Sequence, residues 1–328
     1  MKTNHPQPSL ACILCGSNAG LYSSLSSAYI KQSLSRYFLL SNDLALDIGS
    51  YNMYRCEGCG CEFSDGRDRD LTDFYKLITS QPGYYPRQRW EYKHCSELIR
   101  NTNNMSPVKL LDIGCGSGLF LESLSMFANL ELSGLDTCQE SIDECIIKGI
   151  SAHNLNLDEK YVDQNRGTYD FVTSFHCLEH VPDPSKYLSF VCDLLKPTGV
   201  AFVSTPLSPL LEESVWFDPL NNPPHHLTRF TEKSFCQVAR MLDLNISIAL
   251  SPPRPLLNSL ISLYKCKVLT TPNVSAGYAF KSMVLNPFRF FEFTRMIFSK
   301  RHGYPNSMRN DVLLASFTKK RQALTHEV

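Results

Sequence analysis

Val108-Lys109-Leu110-Leu111-Asp112-Ile113-Gly114-Cys115-Gly116-Ser117-Gly118 reads as a buried strand running into a glycine-rich turn. VKLLDI is a short apolar run of the kind found in parallel sheets covered on both faces. LFLESLSMFA follows and predicts a helix. Glycines in such a strand-to-helix turn let a ligand lie against the backbone. The dinucleotide fingerprint needs GxGxxG, but here the spacing is GxGxG and Leu119 stands at the place of the third glycine. No GKS or GKT follows, which excludes the phosphate-cradling P-loop. Asp112 would repel a pyrophosphate and suits a cationic ligand. Asp136 comes 22 positions after Gly114, at the end of the next predicted strand, ELSGLD. A carboxylate there can accept both hydroxyls of a ribose. The ligand these features favour is a nucleoside without phosphates and with a positive centre.

Strands and helices alternate onward from this turn. A helix around SIDECIIKG, a strand near ISAHNL, the strand YDFVTSF and the helix PSKYLSFVCDLLK come next. They are followed by the strand VAFVSTP, the helix TEKSFCQVARMLD and the strands NISIAL and DVLLASF. Such alternation predicts an α/β fold with a doubly wound sheet and right-handed crossovers. About 60 residues, roughly 252–310, are inserted before the last strand. They include NPFRFFEFTRMIF, with Asn286 as N-cap and Pro287 as first helical residue. Its apolar residues spread around most of the helix, which favours a lid or packing helix over a membrane-surface stripe.

Before the turn lie two cysteine pairs, Cys12-Ile-Leu-Cys15 and Cys56-Glu-Gly-Cys59, with 40 residues between them. Four thiolates from two such knuckles close a tetrahedral site that suits zinc and leave no open position for catalysis. Gly16 and Gly60 follow the knuckles, where a tight turn is easier without a Cβ. Cys61 is a spare, either a core residue or a competing ligand. The expected organisation is a zinc-ribbon-like module over 1–65, a linker and helix over 66–106 with the helix at about 87–103, and the main domain over 107–328.

The chain has 328 residues, 43% of them apolar and 20% charged, with 32 basic and 32 acidic side chains. This composition excludes wholesale disorder. Zero formal net charge argues against a surface built for nucleic acid. The balance is uneven. Residues 251–328 hold 12 Lys and Arg against 3 Asp and Glu, a net of +9, so residues 1–250 carry −9. A basic C-terminal quarter suits a phosphorylated substrate or an anionic surface, or simply solvates a helical face. MKTNHPQPSL has no apolar signal core, and no apolar run is long enough to span a bilayer. With 13 cysteines, this points to a reducing, cytoplasmic setting in which clustered thiols bind metal.

LLDIGCGSG, Asp136, YDFVTSFHCLEHVPDP and LLKPTGVAFVSTP together resemble class I S-adenosylmethionine-dependent methyltransferases. The resemblance covers roughly 108–250 and the last strand. With the two CxxC pairs in front, it extends to a subgroup that includes methyltransferases of nucleotide-linked deoxysugars. It implies a Rossmann-like sheet of seven strands, the last antiparallel. It implies that Gly114, Gly116 and Gly118 line S-adenosylmethionine and that Asp136 holds its ribose. The implied acceptor is a small molecule, a sugar or nucleotide-linked sugar, with no role for nucleic acid. The other class of reading is a zinc-ribbon nucleic-acid-binding protein or nucleic-acid methyltransferase, but the cysteine region lacks a dense basic and aromatic strip.

Candidate chemistry rests on histidines. His176 ends a strand on the side where an open α/β sheet places its ligands. Pro223-Pro224-His225-His226-Leu227-Thr228-Arg229 follows the fifth strand of the main domain. In the resembled sugar methyltransferases an acid precedes a histidine there, near an aromatic residue. Here His225 and Arg229 stand at those places, which leans toward oxygen rather than carbon as acceptor. His226 is the candidate base, with His225 as its partner or as a substrate anchor; alternatively both cap the helix that starts near Thr231. Arg229 is a candidate phosphate ligand. Glu179 and His180 shape the loop after the fourth strand, and Asn156 or Asp158 are placed to meet an adenine. Tyr84 and Tyr85 either close over the ligand or pack the cysteine module against the main domain.

Overall fold

The computed structural model describes residues 9–40, 44, 46–81, 84, 88–101, 107–210, 213, 216–270, 274–298 and 311–320. Two sheets organise them. The larger contains β5 (Val108–Ile113), β6 (Leu130–Asp136), β7 (Ser151–Asn154), β8 (Tyr169–Phe175), β9 (Leu195–Pro206), β11 (Leu244–Leu250) and β12 (Val312–Lys319). Its order is β11-β12-β9-β8-β5-β6-β7. β5 pairs in parallel with β6 and β8, and β12 runs antiparallel to both β9 and β11. The predicted doubly wound sheet with a reversed last strand is therefore present.

Local sequence explains the helices on its faces. Asp158 caps α6 (Glu159–Asn165) by accepting Tyr161 N–H at 2.8 Å. Asp183 caps α7 (Pro184–Asp193) by accepting Lys186 N–H at 2.9 Å, with Pro184 in the first turn. Thr231 and Ser234 form a reciprocal capping box at α8 (Glu232–Met241). These three helices bury Val162, Leu188, Val191, Phe235 and Val238 against one face. On the other face α3 (Trp90–Arg100), α4 (Leu119–Leu124) and α5 (Gln139–Ile147) bury Ile99, Phe120, Leu121 and Ile142.

The smaller sheet has the order β1-β2-β3-β4-β10. It joins β1 (Ser9–Ala11), β2 (Asn18–Leu25), β3 (Tyr51–Cys56) and β4 (Glu62–Ser64) to β10 (Thr228–Arg229). β10 comes from the segment after β9 and pairs antiparallel with β4, so the two halves of the chain share a sheet. The cores are shared too: Leu14, Tyr54 and Phe63 belong to the same apolar cluster as Leu188 and Phe235. α1 (Ser27–Phe38) and α2 (Thr72–Thr79) pack a further core around Ile30, Leu34, Tyr51 and Phe74, which Leu227 also enters.

The insertion before β12 forms α9 (Leu256–Tyr264), a π-helical turn (Lys265–Leu269), α10 (Ala276–Leu285) and α11 (Pro287–Phe298). Leu263, Tyr264, Met283 and Phe293 make its own small core. No described helix is long and apolar enough to cross a membrane.

Candidate active site and metal centre

The four paired cysteines converge. Cys12 and Cys59 sulfurs lie 3.7 Å apart, Cys15 and Cys56 sulfurs 3.5 Å, and all four lie within 4.8 Å of one another. Zinc–sulfur bonds of about 2.3 Å imply tetrahedron edges of about 3.8 Å, so the donor set fits zinc. Each knuckle turns its amides inward: Leu14 N–H points to Cys12 Sγ at 3.4 Å and Cys59 N–H to Cys56 Sγ at 3.3 Å. Gly16 and Gly60 close the two turns at φ of 71° and 73°, where a Cβ would be strained. Cys61 is fully buried and stands outside the four-thiol set.

The glycine turn sits at the C-terminal ends of β5 and β6. Gly114 (φ 74°), Gly116 (φ 53°) and Gly118 (φ 75°) all need the left-handed region. A Cβ on Gly114 would lie 2.1 Å from Cys177 Sγ, and one on Gly118 would lie 2.8 Å from Ile150. Asp136 accepts Gly116 N–H at 2.8 Å and Cys138 N–H at 2.9 Å, one on each oxygen. Each carboxylate oxygen keeps further acceptor capacity for a ligand hydroxyl. Asp112 is buried deeper, accepting the Thr173 hydroxyl at 2.7 Å, and burial pushes its carboxyl up to about 7. Asp158 is spent on capping α6, and Asn156 is exposed on the segment after β7.

His176 follows β8 directly, with φ of 55°, an uncommon conformation for a residue other than glycine. Its Nε2 donates to Glu91 Oε1 at 2.9 Å, while its Nδ1 faces Glu179 Oε1 at 3.3 Å. Burial alone would lower the imidazole's pKa, but the two carboxylates win and raise it above the ordinary 6.5. Glu91, in the first turn of α3, is held below the usual carboxylate range: burial opposes this, but His176 and Arg89 prevail. Sequence alone did not single out Glu91, because an acid at a helix start reads first as a complement to the helix dipole.

The two histidines after β9 are buried. His225 donates from Nδ1 to Leu220 O at 2.7 Å, and its Nε2 meets the Tyr84 hydroxyl at 2.9 Å. His226 donates from Nδ1 to Asn221 Oδ1 at 2.9 Å, and its Nε2 faces Glu179 Oε1 at 3.9 Å. Burial lowers both pKa values well below 6.5, and His180 beside them pushes the same way. Neither histidine caps α8, since Thr231 does. Tyr84 thus packs against the His225 loop, and Tyr85 lies outside the described residues.

Arg229 corrects the sequence reading. Its guanidinium is buried and committed to Glu62 at 3.2 Å, Glu213 at 2.5 Å and Asn222 at 3.1 Å. It joins β10 to the cysteine module instead of offering a free cation to a phosphate. The reason is the β10–β4 pairing, which brings Glu62 beside it.

A family model described as a methyltransferase domain matches residues 87–247. A ubiquinone biosynthesis O-methyltransferase from Shewanella halifaxensis is 37% identical over 102 residues, covering 30% of this chain and 43% of that protein. Its namesake from Erwinia tasmaniensis is 32% identical over 114 residues, covering 33% and 46%. The chain thus spans less than half the length of the curated relatives it matches. A SAM-dependent methyltransferase structure from Archaeoglobus fulgidus aligns with 77% of this chain and all of its own, at 17% identity and a TM-score of 0.46. Residues 87–247 are thus similar to the methyltransferase-domain family, and the glycine turn beside Asp136 lies within the matched segment.

Proposed function

We propose that the protein transfers a methyl group from S-adenosylmethionine to an oxygen of a small hydroxylated acceptor, a sugar or nucleotide-linked sugar. The observation that carries this reading is the glycine turn bonded to Asp136 at the C-terminal ends of β5 and β6. The turn leaves backbone room for a nucleoside, and the carboxylate offers acceptors to a ribose. Support for oxygen comes from the relatives' O-methyltransferase names. Support for a sugar comes from the paired cysteines in front of the domain.

Bound S-adenosylmethionine supplies an electrophilic methyl group on a sulfonium. The chain must then align the acceptor hydroxyl and remove its proton. His176 stands at the strand end nearest the turn and serves as the base. Glu91 fixes its Nε2 proton and so leaves Nδ1 to take the acceptor's, with Glu179 favouring the imidazolium that forms. His226 lies behind Glu179, its Nε2 3.9 Å from Oε1.

The raised pKa of His176 sets the pH dependence. The base is active only when neutral, so kcat/KM is expected to rise with pH, with its midpoint above 6.5. Glu91→Gln removes one carboxylate and should move that midpoint down. His176→Ala should cost about 10²–10⁴-fold in turnover with cofactor affinity kept. The assay follows methyl-labelled S-adenosylmethionine into a panel of deoxysugar nucleotides. Turnover within a few-fold of wild type in His176→Ala, or an unmoved midpoint in Glu91→Gln, would refute the assignment.

A further inference from the structure

Three imidazoles meet beneath the turn Leu178–His180, away from the cysteine site. The ring centres of His180, His225 and His226 lie 4.5–4.8 Å apart. One ring nitrogen of each lies within 4.8 Å of the other two. Their tautomers follow from their partners. His180 Nδ1 sits 2.7 Å from His225 O, and His225 Nδ1 sits 2.7 Å from Leu220 O. A carbonyl can only accept, so both Nδ1 atoms carry the proton. His226 Nδ1 meets Asn221 Oδ1 at 2.9 Å in the same way. Each Nε2 atom therefore holds a lone pair, and the three rings lie against one another.

A second observation points into the same space. Glu179 is 1% exposed, and neither of its carboxylate oxygens makes a hydrogen bond among the described residues. Its Oε1 lies 3.9 Å from His226 Nε2 and 3.3 Å from His176 Nδ1. A buried carboxylate without donors is costly. Clustered imidazole lone pairs beside a buried carboxylate call for a cation.

We propose that His180, His225 and His226 form a second metal site, with the Glu179 carboxylate beside it, for a divalent ion that favours imidazole, in the zinc, iron(II) and nickel group. Three imidazole nitrogens match the ligand preference of these ions and leave a position open. Each imidazole already donates its other N–H to a carbonyl or amide oxygen, the outer arrangement that orients metal-bound histidine. Metal–nitrogen bonds of about 2.0–2.1 Å imply edges of about 3.4 Å, so binding draws the rings together by about 1 Å. The Tyr84 hydroxyl on His225 Nε2 is the group the ion displaces. Such an ion ties the turn after β8 to the segment that leads into β10.

The test is metal stoichiometry on the full chain, stripped with a chelator and titrated first with zinc and then with cobalt(II). Two equivalents per chain are expected. The cysteine equivalent of cobalt gives intense thiolate charge-transfer absorption, whereas the second adds only weak ligand-field bands. His180→Ala should abolish the second equivalent and keep the first. Asn221→Ala, which frees the His226 ring, should weaken the second about 10–100-fold. A single equivalent in wild type, or a second one that survives His180→Ala, overturns the site. Neither readout depends on methyl transfer.

Discussion

Stripping the metal from Cys12, Cys15, Cys56 and Cys59 is expected to unfold the small sheet and loosen the main domain with it. Structural zinc in small modules contributes about 10–16 kcal/mol to folding at neutral pH, because the unfolded chain has no preformed site. Here the loss travels further than the module. β10 pairs with β4, and Leu14, Tyr54 and Phe63 share a core with Leu188 and Phe235. Hydrogen exchange of residues 9–64 and 228–229, before and after chelation, measures this. Protection should collapse in both segments, and one zinc should be found at the thiols of protein purified without chelator. Retained protection, or thiols that carry no metal, would contradict the assignment.

Arg229→Ala is expected to cost about 3–5 kcal/mol of stability. The guanidinium neutralises two buried carboxylates, Glu62 and Glu213, and removing it leaves both uncompensated. Glu62 also bonds Arg55 at 2.7 Å and accepts the Tyr22 hydroxyl at 3.0 Å, so part of its charge stays paired. Glu213 keeps Asn221 as its other partner, and burial already holds its carboxyl above the usual range. Replacing Arg229, Glu62 and Glu213 together with methionine or leucine should restore most of the loss, because no buried charge then remains. Denaturant unfolding of both variants decides it. An unchanged midpoint in Arg229→Ala would mean that the ion triad does not hold the two sheets together.

The parts of this protein that are local in sequence were legible in it. The strand–turn–helix around Gly114, the order of the alternating elements and the knuckle glycines each follow from a few adjacent residues. The long-range pairings were not. β10 is two residues long and finds its partner across more than 160 positions, so no periodicity announces it. Arg229 looked available because Glu62 and Glu213 lie far away in the chain. His176 was legible as the end of a strand, but its partner Glu91 sits on a helix before the domain's first strand. The histidines after β9 were legible as a cluster, whereas their burial depends on Tyr75 and Tyr84, which pack over them from the N-terminal half.

Cofactor binding tests the account most directly. Calorimetry of the full chain with S-adenosylmethionine should give micromolar affinity, about 8 kcal/mol. Asp136→Ala should weaken binding by about 1–3 kcal/mol, roughly 5- to 150-fold, because bonds to a charged acceptor are lost. Gly114→Val should abolish it, because its side chain would collide with Cys177 at a backbone angle valine rarely adopts. Nicotinamide dinucleotides should give no heat. Absence of binding by wild type, or equal affinity in wild type and both variants, would contradict the account.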